Sequence, residues 1–245
     1  MKQNEAVILT LEKLGGIATL GQLNQEVMKI MDCEWKTKTP FASIRRIVQL
    51  DKEIYKIKPG LYGLKSFKKE NESKGLIEET EKNKNDKAVI EFNHSYYQGL
   101  LITVGNFKGL NTFIPNQDKN KKFVHNTLGE IRTYNSLPLF SYNHLVQRSS
   151  TIDVIWFNER SMPHSFFEVE HSTDIQNSLL KFNDLQDFST RMMIVADVSR
   201  IEEYQKKINY TSFKDIKKRV GFLNYQELNK QYEQELEKQN FSIIL

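Results

Sequence analysis

The sequence predicts an α/β fold, a mixed sheet flanked by helices, joined to a smaller N-terminal module of helices and a hairpin. Three observations predict it. A charged stretch at 68–87, "KKENESKGLIEETEKNKNDK", has only Leu76 and Ile77 as large apolar residues and reads as a linker. Ahead of it, apolar residues recur at helical spacing in three short runs and then alternate around a Pro-Gly turn. Behind it, strand-like and helix-like segments succeed one another, which argues for a sheet with helices on its faces. The expected division is therefore 1–67, a linker over 68–87, and 88–245.

In the first module, Ala6, Val7, Leu9, Leu11 and Leu14 support a helix that "GGI" at 15–17 stops. "TLGQLNQEVMKIM" (19–31) opens on a Thr and repeats Leu20, Leu23, Val27 and Ile30. "TPFASIRRIVQL" has Thr39 as N-cap and Pro40 as first helical residue. "EIYKIKPGLYGL" is strand, turn, strand. Three short helices followed by a hairpin is the pattern of a winged helix-turn-helix. Residues 3–66 resemble the HARE-HTH family of winged helices in "GGIATLGQL", "TPFASIRRIVQL" and "IYKIKPGLYGL". The third helix is then the recognition helix, with Ser43, Arg45, Arg46 and Gln49 as its polar residues. Lys36 and Lys38 precede it, and Lys56 and Lys58 lie on the wing. Residues 1–70 hold 13 Lys/Arg against 8 Asp/Glu, a net of +5, while the remainder holds 22 against 23, a net of −1. A basic small module beside a neutral larger one suits an anionic partner, and double-stranded DNA is expected.

In the second module, 98–115 reads as two strands joined through "GNFKG", and 123–134 as a short helix. Strands follow at 152–157 and 166–171. Asp174 is a plausible N-cap for a helix over 174–188, supported by Ile175, Leu179, Phe182 and Leu185. "RMMIVADV" (191–198) has the density of a buried central strand. A helix near 200–210, a strand at 220–225 and a helix over 226–239 complete the pattern.

"IDVIWFNERSMPHSFFEVEHS" (152–172) places Asp153, Glu168 and Glu170 among apolar residues. Side chains alternate along a strand, so burying Ile152, Val154 and Trp156 with Phe167 and Val169 puts the carboxylates on the other face. A symmetric turn over 158–165 pairs Phe157 with Phe166 and Asp153 with Glu170, clustering all three acids at one end. Clustered carboxylates repel unless a cation joins them, and Mg²⁺, or Mn²⁺ in its place, takes such oxygen ligands. A metal there beside a phosphodiester would activate water and stabilise the departing oxygen, with Glu170 as general base or as the group that orients the attacking water. The same acids on an exposed sheet edge would do nothing.

The spacing from Asp153 to "EVE" at 168–170 resembles the PD-(D/E)XK nuclease signature, and residues 94–230 are similar to restriction-type endonuclease domains of that superfamily. The resemblance implies a Mg²⁺-dependent, type II-like DNA endonuclease with Asp153, Glu168 and Glu170 catalytic, and with Asp153, Glu168 and Glu130 of "TLGEI" as metal ligands. It implies a homodimer for double-strand cutting. Glu170 occupies the family's lysine position. Some relatives move that lysine to the following helix, where Lys181 is the candidate. A degenerate site, in a DNA-binding regulator or accessory protein, is the competing reading.

One cysteine, Cys33, excludes internal disulfides and fits a reducing cytoplasm. The N-terminus lacks a signal peptide's apolar stretch, and no apolar run approaches the ~20 residues of a membrane helix. The sole cysteine also excludes thiolate-rich zinc sites, and "EVEH" is not a zinc-protease motif.

Overall fold

Helix α1 (Gln3–Lys13) buries Ala6, Val7, Thr10 and Leu11 on one face, as its spacing requires. Gly16, at φ +81°, lies where the Phe67 ring packs within 2.2 Å of where a Cβ would be, so only glycine fits. Strand β1 (Ile17–Thr19) runs into α2 (Leu20–Val27), and Thr19 closes a capping box with Gln22. Helix α3 (Pro40–Leu50) buries Ile44 and Val48. Strands β2 (Ile54–Lys58) and β3 (Leu61–Leu64) form the hairpin, with Gly60 at φ +75° in its turn. The sheet order is β1-β3-β2, all antiparallel.

The computed structural model describes residues 1–242. They fall into two compact units, Met1–Phe92 with the residues from Glu233 on, and Asn93–Tyr232. The charged segment 68–87 packs into the first unit. Helix α4 (Lys68–Ser73) presents Asn71, whose Nδ2 donates to Gly16 O and Tyr55 Oη. Leu76 is buried, and Lys68 and Lys58 pair with Glu78 and Glu79. One buried apolar residue, the hydrogen-bonded Asn71 and two ion pairs tie so polar a stretch to this unit.

The segment 98–115 is a correction. Helix α5 (Lys87–Phe107) covers most of it, and only β4 (Asn111–Phe113) is strand. Tyr96, Tyr97, Leu100, Leu101, Ile102 and Val104 are all buried, so this part of the helix is apolar on nearly every side and shows no 3.6-residue period. "GNFKG" is its C-terminal cap: Gly109 takes φ +72° and Leu110 N–H donates to Gly105 O at 3.0 Å. Gly105 itself gives Trp156 room, with Nε1 within 2.6 Å of a Cβ position, and that nitrogen donates to Leu101 O.

The segment 123–134 holds a small hairpin, β5 (Lys122–Phe123) and β6 (Asn126–Thr127), and one helical turn, α6 (Leu128–Ile131). Helix α7 (Asn143–Ser149) precedes β7 (Val154–Phe157) and β8 (Pro163–Glu170). Then come α8 (Ile175–Asp184), β9 (Arg191–Ala196), α9 (Ile201–Ile208), β10 (Val220–Asn224) and α10 (Tyr225–Ser242). The five strands order as β10-β9-β8-β7-β4. β8, β9 and β10 are parallel, joined by the crossover helices α8 and α9, while β7 and β4 add antiparallel. The sheet is mixed and helix-flanked, as the alternation predicts. Ile155, Phe157, Phe166, Leu179, Phe182 and Ile194 share its main core.

Candidate carboxylate site at the end of strand β8

The register of β7 and β8 differs from the symmetric expectation by two residues. Val154 pairs with Phe167 and Ile155 with Phe166: a shorter turn closes Phe157 on Pro163, a shift of three, and a bulge between Trp156 and Phe157 takes back one. A net shift of two keeps the parity of the two strands' faces. Both faces are buried, however. The face carrying Glu168 and Glu170 lies under α8, whose buried Ile175, Ser178, Leu179 and Phe182 fall at i, i+3, i+4 and i+7.

Asp153 stands one residue ahead of β7, so hydrogen bonds rather than strand alternation place it. Its Oδ2 accepts from Val169 N–H at 2.8 Å and from His94 Nε2 at 3.1 Å. Its own N–H donates to Glu168 Oε1 at 3.3 Å. Glu168 Oε2 accepts from Lys181 Nζ at 2.7 Å and from Ser178 Oγ at 2.9 Å. Ser178 also reaches Glu170 Oε1, and Thr173 hydroxyl reaches Glu170 Oε2. Arg200 lies 4.0 Å from Glu170 Oε2.

Electrostatically the acids differ. Burial and the neighbouring Asp153 charge push Glu168 well above the ordinary carboxylate range, against the pull of Lys181 and Ser178. Burial also raises Glu170, with Ser178 and Thr173 pulling back. Burial would raise Asp153 too, but the charge and hydrogen bond of His94, with Lys181, hold it below its usual value. Burial works against charge on His94, yet Asp153 outweighs it and raises the imidazole. The Ser178 hydroxyl has one proton and touches two glutamates, so a second proton held between them suits this geometry.

Lys181 therefore stands against Glu168, carried in by α8. Glu130 does not join this hydrogen-bonded group. It caps α6, accepting from Thr127 N–H at 2.6 Å and Thr127 Oγ1 at 2.9 Å. His94, Gln98, Ser178 and Arg200 are the residues sequence reasoning missed. The first two lie one helical turn apart on α5, a signal hidden when that segment reads as strand. Among the described residues, no group of three or more His, Cys, Asp or Glu side chains is arranged to hold a metal ion. His171 accepts from Asn93 Nδ2 at 2.9 Å, in keeping with a structural role.

In the first unit, Lys36, Lys38, Arg46, Gln49 and Lys56 are exposed and Ser43 is half-buried. Arg45 is exposed but bonded to Glu233 at 2.7 Å. Lys58 departs from the expected exposed wing. It is 4% exposed, paired with Glu79 and 5.5 Å above the Phe92 ring, and burial lowers its pKa. No helix among the described residues is long and apolar enough to cross a membrane.

Residues 75–243 match the family model for the type II restriction enzyme NmeDI C-terminal domain. The chain belongs to this NmeDI C-terminal domain family. The matched span contains every residue of the carboxylate site. A curated relative, the type II restriction enzyme NmeDI of Neisseria meningitidis serogroup C, is 29% identical over 133 residues. That alignment covers 50% of this chain and 38% of the relative, so the chain spans well under half of that protein's length. No solved structure matches.

Proposed function

We propose that the chain is a restriction-type DNA endonuclease that hydrolyses phosphodiesters with a divalent cation. The observation that carries this reading is the meeting of Asp153, Glu168 and Lys181 at the end of β8, in a chain of the NmeDI C-terminal domain family. Two carboxylates forced together in a buried setting favour an added positive charge, and two protein oxygens with water filling the rest is an ordinary Mg²⁺ arrangement. Asp153 and Glu168 would hold the ion, Mg²⁺ or Mn²⁺. Bound there, it would supply Lewis-acid stabilisation of the phosphate and an activated water. Lys181 places a cation where phosphate charge develops. Glu170, made more basic by burial and oriented by Ser178 and Thr173, accepts as carboxylate the proton of the attacking water.

The first unit, in this reading, is a winged helix of HARE-HTH type that binds double-stranded DNA. Lys36, Lys38, Ser43, Arg45, Arg46, Gln49 and Lys56 form its contact surface, and buried Lys58 is left out. Cutting both strands calls for two sites, hence a homodimer. Arg46 is exposed and has no ion-pair partner among the described residues, so it is the cleanest probe. Arg46→Ala is expected to weaken binding at all sequences alike and to reduce the slope of log affinity against log salt by about 1 if it meets one phosphate. Fluorescence anisotropy across a salt series measures it.

The whole reading is tested by incubating the purified chain with methylated and unmethylated genomic DNA, with Mg²⁺ or Mn²⁺, then with EDTA, and sequencing the ends. Discrete EDTA-sensitive cuts are expected. Salt-dependent binding without a nick under any metal would instead favour a DNA-binding regulator with a degenerate site.

A further inference from the structure

We propose that His94 is a positioning residue for Asp153, and that the α5 helix is a wall of the site. The proposal rests on the nuclease reading above and adds to it a residue outside the acid and lysine set. Two side chains one turn apart on α5 hold Asp153 by different atoms. His94 Nε2 lies 3.1 Å from the carboxylate Oδ2, and Gln98 Nε2 donates to the main-chain carbonyl of the same residue at 3.1 Å. An ionised carboxylate only accepts, so His94 Nε2 carries the proton in this contact. Spaced at i and i+4, the pair faces one direction from the helix.

The second of these contacts is itself anchored. Gln98 is fully buried, and its amide also donates to Asp118 Oδ2 at 3.0 Å. Asp118 is 3% exposed and its other oxygen pairs with Lys121 at 2.7 Å. A chain from half-buried Lys121 through buried Asp118 and Gln98 thus ends on the Asp153 backbone. Asp153 needs such support because it precedes β7 and has no ladder partner of its own. Val169 N–H and His94 are the two donors on its Oδ2, and only His94 is a side chain that can be varied without touching the strand. A carboxylate left with one donor can turn about its χ angles, and misplacing a reacting geometry by an ångström is costly.

His94 is 22% exposed, so truncating it leaves no sealed cavity and folding is expected to survive. The test uses the full chain with a DNA substrate it cuts. For His94→Ala, kcat should fall roughly 10–100-fold, the scale of losing an orienting partner. The KM for DNA should stay near wild type, and Mn²⁺ affinity followed by electron paramagnetic resonance should weaken by a similar factor. His94→Gln keeps an N–H donor near the Nε2 position and should recover most of both losses, which a general packing role would not predict. A His94→Ala protein with wild-type kcat and Mn²⁺ affinity overturns the proposal. So does His94→Gln as impaired as alanine while equally folded by circular dichroism. If His94→Ala does not fold, the glutamine variant alone decides by the same readouts. A wild-type chain that neither cuts DNA nor binds Mn²⁺ overturns the nuclease reading itself, an outcome distinct from either variant result.

Discussion

Asp153→Ala is expected to reduce DNA cleavage by about a thousandfold or more, with DNA affinity little changed. The size follows from the arrangement. In the proposed mechanism Asp153 is one of two carboxylates that hold the cation, and losing a ligand removes several kcal/mol of transition-state stabilisation. At about 1.4 kcal/mol per tenfold, roughly 4 kcal/mol is a factor of about a thousand. The substitution also strips the acceptor from Val169 N–H and from His94 Nε2. Buried donors left without partners cost about 1–3 kcal/mol each, so some loss of stability should accompany the loss of activity. Single-turnover cleavage with saturating enzyme separates the two effects, because it reads the chemical step alone. Gel-shift binding serves as the control for the N-terminal unit. Nicking within tenfold of wild type in Mg²⁺ would remove Asp153 from the chemistry and with it the reading built on this site.

Much of this site was legible in the strand pattern, and the illegible parts have identifiable causes. The alternation in "IDVIWF" and "FFEVE" holds whatever the turn does, provided the register moves by an even number. The shorter turn moved it by three and the bulge returned one, a net of two, so Glu168 and Glu170 kept their face while their partners changed. What alternation does not report is which face is covered. The acidic one lies under α8, and that cover supplies Ser178 and Lys181 and raises both glutamates. The amphipathic spacing of Ile175, Leu179 and Phe182 announced this helix but not its seat. The misread segment is α5. Buried on most sides around Leu100 and Leu101, it lacks a polar face to mark the helical period, and its β-branched Ile102, Thr103 and Val104 mimic a strand. His94 and Gln98 were hidden with it. Lys58 misled for the opposite reason: alternation along β2 with a shift between Lys56 and Lys58 turned it inward against Glu79.

Lys181→Met should destabilise the metal-free protein at neutral pH by roughly 2–3 kcal/mol, with the loss vanishing in acid. Breaking a buried ion pair strands the remaining charge at a cost of roughly 3–5 kcal/mol, and Lys181 is 24% exposed, which lowers that figure. The pH dependence follows from Glu168. Burial and Asp153 already raise its folded-state pKa above the unfolded value, so the folded state binds the proton more tightly. Stability is then fully present below the ordinary carboxylate pKa and declines as pH rises through the raised folded value. Removing Lys181 takes away a group that lowers that value, so the folded pKa climbs further and the decline continues to higher pH. Below the unfolded pKa Glu168 is protonated in both states and the electrostatic difference between variant and wild type disappears. Chemical denaturation in EDTA across an acid-to-neutral series, on both proteins, reads this directly. Curves that stay parallel over the whole series would mean that the 2.7 Å contact between Lys181 and Glu168 carries no net interaction. The same variant should cut DNA poorly at every pH, because Lys181 is also the cation beside the proposed phosphate position. A variant that keeps full cleavage while showing the predicted stability profile would assign Lys181 to holding Glu168 alone.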